Sequence, residues 1–374
     1  MTQAYAIHPL AWLAWLAAVL IALTTTRNPF YIGLILLWVA TIAWQVRTTE
    51  ALPVRPLSLP FSFMRFGLFI VITSALFNAL TVHIGNTVLG HLPGVIPLFG
   101  GSITLEAAIY GALNGAVLVG VLTAFLLVNQ VVPVHALIQL IPRAYYPVAV
   151  VVAIALSFVP VTLRQFQQVR EAQAVRGHRV RGLRSWLPLL LPLLIGGLEQ
   201  ALQLAEAMMA RGFASGEEQK NKQLPIVQIG SLLILITGWL LQLVWQQAVL
   251  GTVLMLTGSA GIASTLWLAG RRQPHTVYRP TRWRRQDWVI GLGATLLLAS
   301  FLWPLPRTLR ASLFYYPYPI LPWPVFAPLM GLATLGLLMP SIVILDFRFW
   351  IYDLRRRARC CSSIKNQKSS IEPL

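Results

Sequence analysis

The chain has 374 residues, of which 57% are hydrophobic and only 11% charged, with a mean hydropathy of +0.69 and a formal charge of +18. Soluble domains carry about 25% charged residues, so this composition excludes an ordinary globular enzyme and implies an integral membrane protein. Two adjacent cysteines, Cys360 and Cys361, make neither a disulfide framework nor a metal cage.

Taken in chain order, apolar runs near 20 residues, the length that crosses a bilayer as a helix, fall at 10–26, 30–46, 64–85, 104–131, 224–243, 248–270, 287–303 and 324–345. Each is one continuous run and not a set of short alternating strands. The expected fold is therefore all-α, with eight membrane spans. The first run is expected to be a retained span and not a signal peptide, because Met1–Ala11 contains no Lys or Arg.

Lys and Arg gather on the cytoplasmic side of membrane proteins. Here they concentrate in 164–222 (nine), 271–286 (six) and 346–374 (seven). The positive charge is therefore read as a topological signal, with no nucleic-acid partner. If 144–163 crosses the membrane, 23 basic residues fall inside and six outside; if it does not, the split is 26 to three. Pro147 and Pro160 bracket that segment and leave only a short uninterrupted run. The expectation is four spans in 1–131, a cytoplasmic helical insertion at 132–223, four more spans in 224–345, and a basic cytoplasmic tail at 346–374. Both termini then lie in the cytoplasm. Two apolar stretches inside the insertion, 149–159 and 186–198, are expected at the membrane boundary.

Within the insertion the frame Glu-Ala-x-x-x-Arg-Gly occurs twice, as EAQAVRG at 171–177 and EAMMARG at 206–212. The pattern predicts helices over 162–176 and 186–211, each ended by a glycine, the residue that best accepts the left-handed backbone past a helix C-terminus. Arginine in a last turn also complements the helix dipole, and capping alone would account for one such motif. Two copies invite a second reading. Phe166, Val169 and Ala172 lead along one face to Arg176, and Leu204, Ala207 and Met208 lead likewise to Arg211. A planar guanidinium at the tip of an apolar stripe suits insertion into a partner's groove and bidentate pairing with a carboxylate.

These residues resemble the T component of energy-coupling factor transporters, the transmembrane family that includes the cobalt permease CbiQ. The similarity extends to PVAVVVAIALSFVP at 147–160, to LAEAMMARGF at 204–213, and to TRNPF at 26–30, and covers roughly residues 5–245. Val175 stands where the family's first motif carries Ala, and Ser157 where Arg often precedes the proline. The resemblance implies a non-catalytic coupling subunit of a vitamin or transition-metal uptake system in the cell membrane. Its implied partners are two cytoplasmic ATPases and a small substrate-binding membrane protein. By the same resemblance Arg176 and Arg211 are the coupling residues, with Ala174, Gly177, Ala210 and Gly212 shaping the contacts.

Other classes fit less well. A metal-assisted membrane enzyme needs clustered carboxylates, whereas the only aspartates are Asp287, Asp346 and Asp353, and the adjacent acid pair Glu217–Glu218 lies in a loop. A proton- or ion-coupled secondary transporter keeps ionisable groups at mid-membrane. Here Glu106 and His83 fall at span ends, most simply at the membrane interface, and this class stays as the alternative. The chain has no GxxxxGK[ST] phosphate loop, so ATP hydrolysis would belong to partner chains, and no cofactor or metal is expected. The fourth span carries Gly111 and Gly115 in GxxxG spacing, fit either for packing within the chain or for a partner contact.

Overall fold

The computed structural model describes residues 7–48, 63–91, 101–177, 186–213, 223–244, 248–272, 283–302, 311–318 and 321–345. The tail 346–374 with its two cysteines, the Glu217–Glu218 pair and Arg55 lie outside the described residues.

The described chain is almost wholly helical: α1 (Pro9–Thr25), α2 (Pro29–Thr48), α3 (Phe63–Thr81), α4 (Leu105–Val131), the short α5 (Val134–Ile138), α6 (Tyr146–Val175), α7 (Leu187–Ala210), α8 (Gln223–Val244), α9 (Ala248–Arg272) and α10 (Arg285–Leu302). A last helix, α11 (Pro328–Leu345), contains a 3₁₀ turn at Leu335–Leu338. Between α3 and α4 two short antiparallel strands, Val88–His91 and Ser102–Thr104, pair with a bulge between Val88 and Gly90.

Eight described helices are long and apolar enough to cross a bilayer: α2, α3, α4, α6, α7, α8, α9 and α11. The number matches the expectation but the membership does not. α1 has 17 residues, and α10 opens with Arg285 and Asp287, which shortens its apolar part. In their place stand α6 and α7, with 30 and 24 residues. The expectation that Pro147 and Pro160 leave only a short uninterrupted run in 144–163 is corrected, whereas the single helix expected over 186–211 is found. Pro147 and Pro188 occupy first-turn positions, where a missing N–H costs nothing and the fixed φ is already helical. Pro160 and Pro192 lie inside continuous helices, a placement that apolar spans tolerate by local adjustment of the freed backbone groups.

The chain divides into two compact units, Met1–Ala136 with Arg279–Leu374, and Leu137–Tyr278. In the first, α1 is the centre. It has no polar face, as a helix surrounded by others requires, and Ala11, Trp12, Trp15, Ala18, Val19, Ala22 and Leu23 are all buried. α3 and α4 pair through glycines. A Cβ on Gly111 would lie 2.6 Å from the Ser74 carbonyl oxygen, and one on Gly115 2.9 Å from the Val71 Cα. Gly111 and Gly115 therefore face a neighbouring helix of the same chain, and the Ser74 hydroxyl donates to the Gly111 carbonyl at 2.8 Å.

The C-terminal segment returns to this unit. Gly293 of α10 and Gly336 of α11 cross so closely that a Cβ on Gly336 would meet the Gly293 carbonyl oxygen at 2.6 Å. The indole of Trp15 donates to the Leu337 carbonyl at 3.0 Å. Between membrane helices the hydrophobic drive is weak, so such interhelical hydrogen bonds, about 0.6–2 kcal/mol each, and close backbone approach carry the association.

In the second unit α8 and α9 form a hairpin along a seam of small residues. Gly238 faces Leu254 and Met255, Gly258 faces Leu235, and Gly261 faces Ser231. Gln228 of α8 donates its side-chain amide to the hydroxyl of Tyr145, at the entry to α6. α6 meets α7 where Gln165 lies flat against Gly196 and Phe166 stacks on Trp186 at 6.3 Å between ring centroids.

Candidate functional site

The two arginine motifs fold into the same local structure. α6 stops at Val175, with Arg176 as its cap residue at φ −77°, ψ 7° and Gly177 at φ +78°. α7 stops at Ala210, with Arg211 at φ −88°, ψ 5° and Gly212 at φ +77°. The Gly177 N–H donates to the Ala174 carbonyl at 2.9 Å, and the Gly212 N–H to the Met209 carbonyl at the same distance. At the second site the Phe213 N–H also closes back on Met208 at 3.0 Å, which completes a Schellman motif. A positive φ near +77° costs an L-residue with a Cβ about 1–2 kcal/mol. The glycine is thus a backbone requirement, and it fixes the direction in which the chain leaves each helix.

This geometry sets how the arginines are presented. Each sits one residue past the last helical turn, beside the unpaired carbonyls at the negative end of the helix dipole. Arg176 and Arg211 are exposed, as are Ala174, Gly177, Ala210 and Gly212. Neither guanidinium has a hydrogen-bond or ionic partner among the described residues. A guanidinium cannot lose its proton under physiological conditions. The site therefore offers two permanent cations on two helix tips with nearly identical backbones, Arg211 next to Ala210 and Arg176 next to the exposed Val175 with Ala174 one residue further back.

The residues of the two stripes lie within α6 and α7 and are partly buried or exposed. Phe166, Val169 and Gln173 are partly buried on α6, while Ala172 is exposed; on α7 Leu204 and Met208 are partly buried and Ala207 is exposed. Sequence reasoning missed the Gln165–Gly196 crossing. Its one signal was the Gly196–Gly197 pair within an otherwise bulky apolar run.

The other motif residues lie in the first unit. Asn28 caps α2: its Oδ1 accepts the Phe30 N–H at 3.0 Å, and Pro29 follows at the first helical position. The Asn28 amide also donates to the Ser312 and Val325 carbonyls, both at 2.8 Å. Glu106 lies in the first turn of α4, at the span end expected of it, and is only 1% exposed; its Oε1 accepts the Thr87 N–H at 3.1 Å. It fastens the 85–87 segment to the first turn of α4, with the Gly85 backbone pressed against its other oxygen.

Comparison with known proteins follows the same motifs. The profile of the CbiQ cobalt transport protein family matches residues 4–222. That is more than half of the chain. The chain belongs to the CbiQ family. Relatives named energy-coupling factor transporter transmembrane protein EcfT share 42% identity over 71 residues in Leuconostoc gelidum subsp. gasicomitatum, covering 17% of this chain and 26% of that protein. The Exiguobacterium sibiricum protein of the same name is 27% identical over 159 residues, covering 36% of this chain and 60% of the relative. The Bacillus subtilis one is 28% identical over 178 residues, covering 42% and 64%. The chain thus spans between a quarter and just under two thirds of the length of these relatives. The CbiQ profile includes both arginine motifs and the Asn-Pro turn, and ends before α8.

Proposed function

We propose that this multi-pass membrane protein is the coupling subunit of an ATP-driven uptake transporter of the energy-coupling factor type. It resides in the cell membrane with both termini in the cytoplasm. In this reading Arg176 and Arg211 each enter a groove on one of two cytoplasmic ATPases. Closure of the ATPases moves α6 and α7, and that movement is passed to a small membrane protein that binds the substrate, a vitamin or a transition-metal ion. ATP chemistry belongs to the partners, and this chain contributes rigid presentation of the two cations.

The observation that carries the proposal is the near identity of the two helix ends. A helix cap needs only glycine and a cation near the last turn. It does not need two exposed arginines with matching φ and ψ, each followed by glycine. Matching geometry is what two equivalent grooves would require, and the EcfT names of the relatives support the same assembly.

The test is co-expression with a pair of ABC-type ATPases from the same organism, followed by affinity purification and uptake assays. Arg176→Glu or Arg211→Glu should abolish uptake while leaving part of the ATPase bound, and the double change should release it. Removing one partner of a buried charge pair costs about 2–5 kcal/mol, and the second helix holds by effective concentration when the first fails. Arg→Lys should restore uptake only in part, since an ammonium lacks the two-pronged donor geometry. If uptake survives Arg→Lys in full and the double mutant retains ATPase, the arginines are caps and the proposal fails. Reporter fusions near positions 55, 135, 215, 278 and 362 should report cytoplasm, and those near 95, 245 and 315 the exterior; a fusion near 135 found outside would show that α6 crosses the membrane.

A further inference from the structure

Each coupling arginine closes a frame whose first member the coupling role leaves unused. In EAQAVRG and EAMMARG a glutamate stands five residues before the arginine. α6 ends at Val175 and α7 at Ala210, so Glu171 and Glu206 are each the fifth residue from a helix end. Both are exposed, and neither makes a hydrogen bond or ion pair with another described residue.

Neither acid has a local reason to stand where it does. Side chains three and four residues apart meet on a helix surface and can form ion pairs there. Around Glu171 those positions hold Gln167, Gln168, Ala174 and Val175, and around Glu206 they hold Leu202, Gln203, Met209 and Ala210. None is basic. A carboxylate close to a helix C-terminus also gains nothing from the dipole, whose negative end favours cations. The chain has only 11 acidic residues, and α6 and α7 carry three of them, Glu171, Glu199 and Glu206. Two of these three fall at equivalent places. Residues that go against local preference are expected at functional sites, and here the same departure occurs twice in one register.

The caps fix how acid and cation stand to each other. Five residues of helix amount to about 7.5 Å along the axis and about 140° around it. Because the two caps have nearly the same φ and ψ, the offset is the same at both tips. A groove that takes the arginine on one wall therefore meets the glutamate on another. We propose that Glu171 and Glu206 are the second contact of each ATPase groove, each paired with a lysine or arginine of the partner across from the carboxylate that takes Arg176 or Arg211. This rests on the coupling reading and adds the charge pattern of the groove to it. Opposite charges at a fixed offset admit the helix in one direction and one register, and such complementarity governs specificity and association rate.

The experiment immobilises the full-length chain in nonionic detergent and measures binding of a pair of ABC-type ATPases from the same organism at several salt concentrations. Glu171→Gln and Glu206→Gln remove the charge while keeping shape and helix propensity. Each should weaken ATPase binding about tenfold and flatten its dependence on ionic strength. Glu→Lys at either position should weaken it further, and Glu→Asp, which keeps the charge, should recover part of the loss. Glu199→Gln removes an equally exposed acid of α7 outside the frame and should bind as the wild type does. The proposal is overturned if both Gln variants keep wild-type affinity and salt dependence, or if Glu199→Gln loses as much. An effect at one glutamate and not the other also overturns it, since the two are assigned the same role. The coupling reading fails separately. Release of the ATPases by Arg176→Glu with Arg211→Glu, with no effect of the glutamates, removes only the second contact, whereas a wild type that binds no ATPase removes both.

Discussion

α1 and α6 are both apolar helices, yet their surroundings are opposite. α1 buries nine of its 17 residues, while α6, at 30 residues, buries none and α7 buries only Leu189. α1 ends in a turn sewn to residues about 290 positions away, Asn28 reaching Ser312 and Val325. α6 and α7 end in arginines that reach nothing described. Elements with few buried contacts occupy the low-stability end of a structure and are the ones that move. The first unit is built as a frame, and the arginine helices leave most of their surface uncovered, in the proposed assembly for ATPases at their tips.

The sharpest way to break that comparison is to overfill each side. Gly336→Leu places a side chain on the Gly293 backbone, where a Cβ already has only 2.6 Å to the carbonyl oxygen. Overpacking of this kind costs about 1–3 kcal/mol or more. The expected outcome is a lower melting temperature and a poor yield of monodisperse protein by size-exclusion chromatography. A matching insertion on the exposed face of α6, Ala155→Leu, should change neither. Equal loss from both would mean that α6 is packed as tightly as the frame.

A smaller effect is expected at the seam between the Asn-Pro turn and the C-terminal segment. Asn28→Ala leaves the Ser312 and Val325 carbonyls without their donor and removes the cap of α2. An unsatisfied buried acceptor costs about 1–3 kcal/mol. Thermal stability should fall accordingly. Asn28→Asp should recover only the cap, because a carboxylate accepts the Phe30 N–H but cannot donate to the two carbonyls. If Asp restores stability in full, the long-range bonds contribute little and the C-terminal segment is not a working part of the frame.

Much of this was legible in the sequence because it is local. The four N-terminal helices follow from uninterrupted apolar runs, and the ends of α6 and α7 follow from Arg-Gly, since left-handed backbone selects glycine within a residue or two. The continuity of α6 was not legible. Whether Pro160 ends a helix or merely perturbs one depends on what surrounds it, not on its neighbours in sequence. The return of 279–345 to the first unit was also invisible. No periodicity links Asn28 to Val325, and two glycines that cross, Gly293 and Gly336, look like any others until their helices meet. The count of eight agrees only because two differences cancel: α1 and α10 fall short of a crossing by length and composition, while α6 and α7 reach it.

The smallest expected effect tests whether the two arginine caps are equivalent. Gly177 has open space around its Cα, so an added methyl group meets no atom and the only penalty is backbone conformation at φ +78°. Alanine pays about 1–2 kcal/mol for a left-handed backbone, and asparagine, the other residue that ends helices this way, pays less. Gly177→Ala should therefore fray the last turn of α6, seen as faster amide exchange over residues 171–177, and redirect Arg176 enough to lower uptake several-fold. Gly177→Asn should keep most protection and most uptake. Because Gly212 adopts φ +77°, the same pair of substitutions there should reproduce the same order with similar size. The melting temperature should move little in all four variants, since neither glycine supports the frame. A variant that lowers uptake without altering amide exchange would assign the glycine to direct contact with a partner. If Gly177→Ala were silent where Gly212→Ala is not, the two helix ends would be alike in backbone but not in use.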